Sequence, residues 1–398
     1  MEAVAPTIEG EAAPAMGKIL LVAPPARGGL ARHVIALLAG LKSDGYEVAV
    51  ACDPEGPIGD AARDRSVSVF EIPMSPGGTP QAALSAARLA RAIGEVQAHV
   101  VHTHGFSAGL VGALALALTS SGRLVATVHS YPPYAEGMRA RRRRDRWALG
   151  LLFRSASRLI TVSDALRRDL LAVHPEAAEK TVTILNGIDT RAAPAAAPAD
   201  TRSSLGIAEG TPLVGMIARL APQKGIRGFI EAARAIVDLL PAAQFVLAGE
   251  GPLREEAESV RRELGLEGCL QLLGEVESPR DLLAALDVLV IASVSEGSSI
   301  VAMEAMSLGR PVVATAVGGV PEVVADKETG LLVEPGDPEA LARAVVSILQ
   351  QPELAEQMGE RARRRAAAEF DVRRMLEETE AVYADLLREE MDGGGEEE

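Results

Sequence analysis

The stretch from Ser295 to Thr315 (SEGSSIVAMEAMSLGRPVVAT) constrains the fold of this 398-residue chain more than any other. A continuous apolar run, Val288 to Ile291, precedes it and is typical of a buried strand. A polar turn and a helical segment follow, the helix ends near Gly309, and a second apolar run begins after Pro311. This order of strand, turn, helix and strand predicts a doubly wound α/β sheet, in which ligands bind beyond the carboxyl ends of the strands.

Two carboxylates in this stretch, Glu296 and Glu304, are candidate ligand-binding groups. They are eight residues apart, which corresponds to a helical rise of up to about 12 Å. A nucleotide-sugar is an extended ligand of comparable length, and a carboxylate can accept from two adjacent hydroxyls at once. We therefore expect Glu296 to hold sugar hydroxyls and Glu304 to hold ribose hydroxyls. The alternative is a solvated surface glutamate at each position.

The diphosphate of such a ligand would lie between the two carboxylates, over the start of the helix. A helix N-terminus offers free backbone N–H groups and the positive end of its dipole to an anion. The residues expected to bind the nucleotide-sugar at this helix start are Gly297, Ser298, Ser299 and Ile300.

Composition and charge narrow the class of protein. Hydrophobic residues make up 48% of the chain, which indicates a globular protein. The net charge is −15, and six of the negative charges lie in the last ten residues, so the body is moderately acidic and nucleic-acid binding is not expected. With only Cys52 and Cys269, neither a disulfide framework nor a cysteine metal site is indicated.

The termini indicate no export or membrane anchoring. Residues 1–16 have neither a basic region nor an apolar region, so they do not resemble a signal peptide. The chain contains no run of 18 or more apolar residues, so no membrane span is expected. The sequence therefore predicts a cytoplasmic protein.

Strands alternate with helices along most of the chain, which predicts two parallel-sheet domains. The first alternation begins at Lys18 and ends near Leu185, and the second begins at Leu213. Between them, Thr190 to Leu205 is rich in Pro, Ala and Ser, as a boundary segment is. We expect domains over residues 17–195 and 206–370, a final helix over 371–390, and disordered tails over 1–16 and 391–398.

Two cations, Arg219 and Lys224, follow the first strand of the second half in the segment IARLAPQKG. On one strand-to-helix loop they can converge on a single anion. A departing diphosphate gains charge in the transition state, so fixed cations there would accelerate its release. No DxD-like acidic pair stands at a strand end, and with two cations no metal is expected. The alternative is a pair of ordinary surface cations.

Several residues of the first half follow strand ends and could line the same ligand-binding site. Gly28 and Gly29 allow close backbone approach of a ligand. Arg32 and His33, just inside the next helix, either line the acceptor side or face solvent. His104 ends a strand and is a further acceptor-side candidate.

Tyr131 lies in the loop Ser130 to Tyr134, where an aromatic ring could stack on an acceptor sugar. His102 shares a strand face with His104 but lies deeper in the apolar run, so a structural role is expected for it.

The E-x7-E pattern of Glu296 and Glu304, together with the other motifs in order, resembles the retaining enzymes of glycosyltransferase family 4, also described as glycosyl transferases group 1. The resemblance covers nearly the whole chain. It implies the GT-B fold, in which two Rossmann-like domains face each other across a cleft. The first would be the acceptor-side domain and the second the nucleotide-sugar donor domain. It also implies that the C-terminal helix crosses back to the N-terminal domain.

The resemblance carries specific roles to matching residues. Arg219 and Lys224 would stabilise the leaving group, and His129, at the end of VATVH, would lie beside the donor sugar. Gly29 belongs to the loop that would face the donor pyrophosphate. The turn Gly249–Glu250–Gly251–Pro252 would place Gly251 near the nucleotide, and Val276 would contact the base. Ser298 and Ser299 stand where many members of the family have an aromatic or larger residue, which changes the shape of the donor pocket.

We therefore expect a retaining glycosyltransferase that moves a sugar from a nucleoside diphosphate sugar to a sugar, lipid-linked or small-molecule acceptor, such as a polysaccharide precursor, without metal or other cofactor. Retention is implied by the resemblance, and the sequence offers no clear nucleophile for a double displacement. UDP, GDP and ADP all stay open as the nucleotide. Two alternatives are a sugar-nucleotide epimerase of the same fold, which would isomerise the donor alone, and a non-catalytic nucleotide-sugar-binding protein.

A basic run, Arg139 to Arg146 (RARRRRDR), is unusual in an acidic protein. It is either a solvated helix start or a contact with anionic lipid headgroups, into which the following apolar residues would dip. Many enzymes of the family that this chain resembles glycosylate lipid-linked acceptors, which favours the second interpretation. The protein would then be peripheral on the inner face of the membrane.

Overall fold

The computed structural model describes residues 16–74, 79–119, 121–130 and 149–393. The two predicted tails, Tyr131 and the basic run Arg139 to Arg146 lie outside the described residues, except for the ends of the tails at Met16 and 391–393. None of the helices within those ranges is long and apolar enough to cross a bilayer.

Two sets of alternating strands and helices form the described chain. The first-half strands are β1 (Lys18–Val22), β2 (Glu47–Cys52), β3 (Ser68–Glu71), β4 (Val100–His104), β5 (Arg123–Val128), β6 (Arg158–Thr161) and β7 (Thr181–Thr183). The first-half helices are α1 (Gly29–Ser43), α2 (Pro57–Asp64), α3 (Thr79–Val96), α4 (Phe106–Leu116), α5 (149–155) and α6 (Asp164–Val173), followed by a 3-10 turn over Pro175–Lys180.

The second half repeats this alternation. Its strands are β8 (Leu213–Ile217), β9 (Gln244–Ala248), β10 (Leu270–Gly274), β11 (Val288–Ile291), β12 (Val312–Thr315) and β13 (Gly330–Val333). Its helices are α7 (Pro198–Ser204), α8 (Ile226–Leu239), α9 (Arg254–Glu263), α10 (Pro279–Ala285), α11 (Ile300–Ser307), α12 (Val320–Val323), α13 (Pro338–Leu349), α14 (Pro352–Glu369) and α15 (Val372–Gly393), with a 3-10 turn over Pro222–Lys224.

Each half contains one parallel sheet that is buried on both faces. The strand orders are β3-β2-β1-β4-β5-β6-β7 and β10-β9-β8-β11-β12-β13. Alternate residues of a strand point to opposite faces, so Val288 and Val290 of β11 enter one hydrophobic cluster while Leu289 and Ile291 enter another. Burial on both faces explains why these strands read as unbroken apolar runs rather than as alternating ones.

The C-terminal helix α15 leaves the second half and packs on the first. Leu376, Tyr383 and Leu386 of α15 lie in the same buried cluster as Leu37 and Leu38 of α1. An isolated bridge pairs Ile188 with Asp371 where the chain crosses back. The predicted architecture, two facing doubly wound domains with a returning C-terminal helix, is confirmed.

Helix α4 was not predicted from the sequence, and its composition gives the reason. Its sequence, FSAGLVGALAL, is apolar all round and therefore has no amphipathic period. The helix is largely buried, which removes the polar face that would have marked it. The short helices α2, α6 and α10 and strand β13 were also not predicted.

Candidate functional site

The two sheets present equivalent points to one cleft. In the first sheet β1 lies between β2 and β4, and in the second sheet β8 lies between β9 and β11. The chain connections on the two sides of β1, and of β8, therefore run in opposite directions. A crevice opens outside the carboxyl ends of the strands at such a switch point. Gly29 and His104 follow or end β1 and β4, while Lys224 and Glu296 follow β8 and β11. All four residues therefore lie where a ligand of this fold would bind.

The halves are in direct contact at this point. A Cβ added to Gly29 would lie 3.5 Å from Cδ1 of Ile300, so the glycine loop faces the N-terminus of α11. A Cβ added to Gly297 would lie only 2.0 Å from the carbonyl oxygen of His129. Gly297 is thus required for the two walls to approach this closely. Gly28, the other glycine of the loop, is exposed and has a left-handed φ of 67°.

Glu296 is held by two partners from its own half. Nζ of Lys224 donates to Oε2 of Glu296 at 2.5 Å, and Oγ of Ser293 donates to the same oxygen at 3.1 Å. Only 12% of the Glu296 side chain is exposed. The solvated alternative for Glu296 therefore does not describe this arrangement.

A glycine places Lys224 beside Glu296. Lys224 ends the 3-10 turn, and the next residue, Gly225, has a left-handed φ of 65°. A Cβ on Gly225 would lie 1.9 Å from the carbonyl oxygen of Ala292, so the turn presses against the end of β11. Arg219, at the start of the same loop, is exposed.

Glu304 forms an ion pair across the cleft. Nη1 of Arg32 donates to Oε1 and Oε2 of Glu304 at 2.6 and 2.5 Å. The exposed fractions are 37% for the Arg32 side chain and 13% for that of Glu304. A second cross-cleft pair, Arg27 with Glu275 at 2.9 Å, is exposed on both sides. Arg32, expected on the acceptor side, therefore contacts the carboxylate expected to hold ribose.

The start of α11 contains both capped and uncapped groups. Oγ of Ser299 accepts from the backbone N–H of Ala302 at 3.4 Å and so caps the helix. Oγ of Ser298 is buried and has no hydrogen-bond partner among the described residues. Ile300 is 6% exposed and packs in the core. The Ser298 hydroxyl is the free polar group of this helix start.

Two further residues flank the cleft edge of the second half. A Cβ on Gly251 would lie 2.4 Å from the carbonyl oxygen of Leu220, so its turn packs on the loop that carries Arg219. Val276 is half-buried after β10, next to Glu275 of the exposed pair. Both positions adjoin the loops that follow strand ends.

Three histidines converge on the opposite wall. The ring centroid of His33 lies 5.3 Å from that of His104 and 4.7 Å from that of His129. Nδ1 of His104 and Nε2 of His129 are 3.3 Å apart. His33 is 5% exposed and His104 is fully buried, so the solvent-facing alternative for His33 is wrong. The reason is that His33 lies on the sheet-facing side of α1.

Burial keeps this cluster uncharged. Burial lowers the pKa of His33 to about 4 and that of His102 to about 3. The pKa values of His104 and His129 are also well below the ordinary value, because of burial and then of the neighbouring imidazoles. All four imidazoles are therefore neutral near pH 7.

His102 has a structural role. Its Nδ1 is 2.6 Å from the hydroxyl of Tyr383 on α15, and its Nε2 is 2.7 Å from Oγ1 of Thr127. Both ring nitrogens are thus engaged, and the contact ties the returning helix to β4. The confinement of His102 to the apolar interior agrees with this role.

Sequence reasoning missed two residues near the cleft. Asn186, next to His33, is buried and its Oδ1 has no partner among the described residues. Glu322 accepts from the backbone N–H groups of Asp164 and Ala165 at 2.8 and 2.6 Å and so caps α6 across the halves. The Asn-Gly pair after the last strand was the available signal for Asn186. No local signal marks Glu322, because its partners are over 150 residues away.

Comparison with known proteins gives consistent results for both halves. The family model described as Glycosyltransferase Family 4 matches residues 27–192. The family model described as Glycosyl transferases group 1 matches residues 199–365.

Individual relatives match over most of the chain. An alpha-maltose-1-phosphate synthase of Mycolicibacterium smegmatis is 32% identical over 383 residues, 90% of this chain and 96% of that protein. The UDP-Gal:alpha-D-GlcNAc-diphosphoundecaprenol alpha-1,3-galactosyltransferase of Escherichia coli is 25% identical over 370 residues, covering 91% and 95%. The crystal structure of Anabaena HepE in complex with UDP-glucose superposes with a TM-score of 0.80 at 25% identity, covering 93% and 100%.

Proposed function

Because this chain belongs to glycosyltransferase family 4 and is a GT-B glycosyltransferase, we propose that it transfers a hexose from a nucleoside diphosphate sugar, with retention and without metal, in the cleft described above. Membership of the family speaks against the epimerase and the non-catalytic alternatives. The proposal extends from the family to specific residues of this chain.

The observation that carries the proposal is the contact of Lys224 and Ser293 with Glu296 at the switch point of the second sheet. Glu296 fixes the ammonium group of Lys224 at the carboxyl end of β8. A cation held there stabilises the charge that develops on a departing diphosphate. Arg219 on the same loop adds a second, more exposed cation. These two charges do the work that a metal would otherwise do.

The donor would lie along α11. Its diphosphate would sit between the glycine loop at Gly29 and the N-terminus of α11, where backbone N–H groups are free and the unpaired hydroxyl of Ser298 is close in sequence. The ribose would engage Glu304, and the base would lie near Val276 and the turn at Gly251. Glu304 contacts Arg32 in this structure, so ribose hydroxyls would replace that guanidinium.

We propose UDP as the nucleotide. HepE was crystallised with UDP-glucose, and the Escherichia coli relative is named for UDP-Gal. The acceptor would be a carbohydrate hydroxyl that enters beside the exposed Gly28, with the buried His33 and His104 behind that surface. A lipid-linked acceptor, with Arg139 to Arg146 on anionic headgroups, is the membrane-associated form of the same proposal.

The lowered pKa of His129 argues against a role as the base that takes the acceptor proton. A histidine whose pKa is held well below the ordinary value is a poor base toward an alcohol. The departing phosphate oxygen is then the better acceptor for the hydroxyl proton. This oxygen lies on the face of the donor sugar from which the phosphate departs, so the hydroxyl would attack on that same face. His129 would contact the sugar through a hydrogen bond.

Donor binding is the first test. Thermal unfolding would be followed with UDP-, GDP- and ADP-glucose for the wild type and for the variants Glu304→Ala and Lys224→Ala. A ligand at about 100 times its dissociation constant stabilises by about 2.7 kcal/mol. We expect UDP-glucose to stabilise the wild type and both variants to lose most of that response.

The matched control is Glu267→Ala. Glu267 is an exposed glutamate just before β10, at the amino ends of the strands and so away from the cleft, and its variant should respond like the wild type. Loss of the response in this control would point to a general defect. If no nucleotide sugar stabilises the wild type, the proposed donor site is wrong. The configuration of a product glycoside, read by NMR, would test retention.

A further inference from the structure

We propose that His33, His104 and His129 form a binding site for Zn²⁺ or a related borderline transition-metal ion in the N-terminal wall of the cleft, and that its occupancy blocks sugar transfer. The binding site is independent of the proposed function. The inhibitory consequence rests on the proposed function.

The spacing of the three side chains suits one ion. Each histidine offers a ring nitrogen, and the three nitrogens lie within 4.8 Å of one another. Zinc–imidazole bonds of about 2.0–2.1 Å in a tetrahedron place two ligand nitrogens about 3.4 Å apart. Nδ1 of His104 and Nε2 of His129 are already 3.3 Å apart. A shift of up to about 1.4 Å by the third ring, from the 4.8 Å limit to the tetrahedral 3.4 Å, completes the set.

Unsatisfied polar atoms concentrate at this point. Nε2 of His104 is buried without a partner among the described residues. Nδ1 of His33 and Oδ1 of Asn186 lack a well-formed hydrogen bond, although the Asn186 side chain lies close enough to raise the pKa of His33 against the lowering effect of burial. A buried polar atom without a hydrogen bond is costly, and such atoms are uncommon in folded proteins. A cation bound through Nδ1 of His33 removes that cost for this nitrogen, whereas Nε2 of His104 stays unpaired if Nδ1 of His104 is the second ligand.

The chemistry of the ligands selects the kind of ion. Three neutral imidazoles, with no carboxylate among them, suit zinc, copper or nickel rather than magnesium or calcium. His102 lies beside the cluster, with its ring centroid 4.3 Å from that of His104, but Tyr383 and Thr127 occupy both of its nitrogens. It therefore supports the ring of His104 and does not bind the ion.

The position of the site makes it inhibitory. His129 is half-buried at the cleft, so an ion would reach the site from that side. Zinc on Nε2 of His129 would take that nitrogen away from the donor sugar and fix the ring, so only Nδ1 would stay free to contact the sugar. The leaving-group cations Lys224 and Arg219 are on the opposite wall, so this metal does not replace them.

Cobalt provides a direct test of the site. Protein freed of metal with EDTA would be titrated with Co²⁺, whose visible absorption reports four-coordinate binding, and the cobalt would then be displaced with Zn²⁺. We expect one equivalent to bind. The variants His33→Asn and His104→Gln should weaken binding by more than the roughly 10- to 100-fold that loss of even an outer-shell group costs. His99→Gln is the matched control, since His99 lies at the other end of β4 and should leave binding unchanged.

A second measurement uses the wild type alone. In ¹⁵N spectra of labelled histidine, Zn²⁺ should shift the signals of three of the six histidines. Equal binding by all variants, or shifts spread over other histidines, would overturn the site. Zn²⁺ binding without any change in the transfer rate would overturn only the inhibitory role. Donor binding measured in EDTA tests the transferase separately.

Discussion

The two walls of the cleft share one geometry and differ in chemistry. Each is the switch point of a parallel sheet, with functional residues at the carboxyl ends of two neighbouring strands. The first wall holds glycines and neutral imidazoles, and the second holds ion pairs such as Lys224 with Glu296. The fold therefore determines where a ligand lies, whereas the residues at the strand ends determine which part of it each wall can bind.

Two glutamates of the second wall sharpen the comparison. Glu296 is held by residues of its own half, so its position does not depend on the first wall. Glu304 is held by Arg32 from the opposite half. Under the proposed function, Glu296 would be preorganised for the sugar, while Glu304 would exchange a partner when the donor binds.

The largest effect is expected from Glu296→Gln, which removes the charge that fixes Lys224. Loss of one preorganised electrostatic contact in an active site typically lowers the rate by about 10²- to 10³-fold. The rate of UDP release in the presence of acceptor measures this. Glu267→Gln changes an exposed residue at the amino end of β10, away from the cleft, and should retain the wild-type rate. A loss of less than a few-fold in Glu296→Gln would show that this wall does not depend on the ion pair.

Gly297→Ala tests whether the two walls must touch. The new Cβ would lie 2.0 Å from the carbonyl oxygen of His129, so the halves must separate. Misplacing reacting groups by about 1 Å can reduce catalysis by up to roughly 100-fold, so a loss of about 10- to 100-fold in kcat/KM is expected. Gly228→Ala is the control, because nothing lies within 4 Å of its added Cβ. Full activity in Gly297→Ala would mean that transfer does not need this contact.

Arg32→Ala tests the exchange of partners at Glu304. If ribose replaces the guanidinium, removing Arg32 should tighten UDP-glucose binding by about 1 kcal/mol, or roughly fivefold. Arg27→Ala removes the exposed cross-cleft pair and should change affinity less, since exposed ion pairs contribute little. Isothermal titration calorimetry measures both. Weaker binding by Arg32→Ala would show instead that Arg32 itself contacts the donor.

Glu380 on α15 gives the smallest effect, away from both walls. Burial and the nearby charge of Asp44 raise the pKa of Glu380 from 4.5 to about 7. The folded state thus keeps a proton that the unfolded state has lost, so the free energy of unfolding falls as pH rises from about 4.5 to about 7. After allowance for partial exposure we expect a contribution of about 1 kcal/mol.

Thermal denaturation of wild type and Glu380→Gln between pH 5 and pH 8 would test this. The variant has no such titration, so it should gain stability relative to the wild type as the pH rises. Parallel curves for the two proteins would contradict the raised pKa.

Much of the fold could be read from the sequence because local signals agreed. Buried strands such as Val288–Ile291 and Leu213–Ile217 are apolar on both faces, and amphipathic helices such as Ile226–Leu239 show one apolar face. Helix α4 was missed because full burial erased its period. The ends of elements moved by one to a few residues, since helices begin where a turn or cap allows rather than at the first apolar residue.

By itself, the sequence determined the two doubly wound halves and the residues that follow their strands, including Glu296, Lys224, Gly29 and His104. Periodicity and turn residues act within a few positions, so they carry that information locally. Only the tertiary structure decided the partners: Arg32 on Glu304, Glu322 on α6, and three histidines together. Those contacts join residues from 25 to 272 positions apart. No local pattern specifies them, because they depend on how one half docks on the other and how the strands are ordered in the sheet.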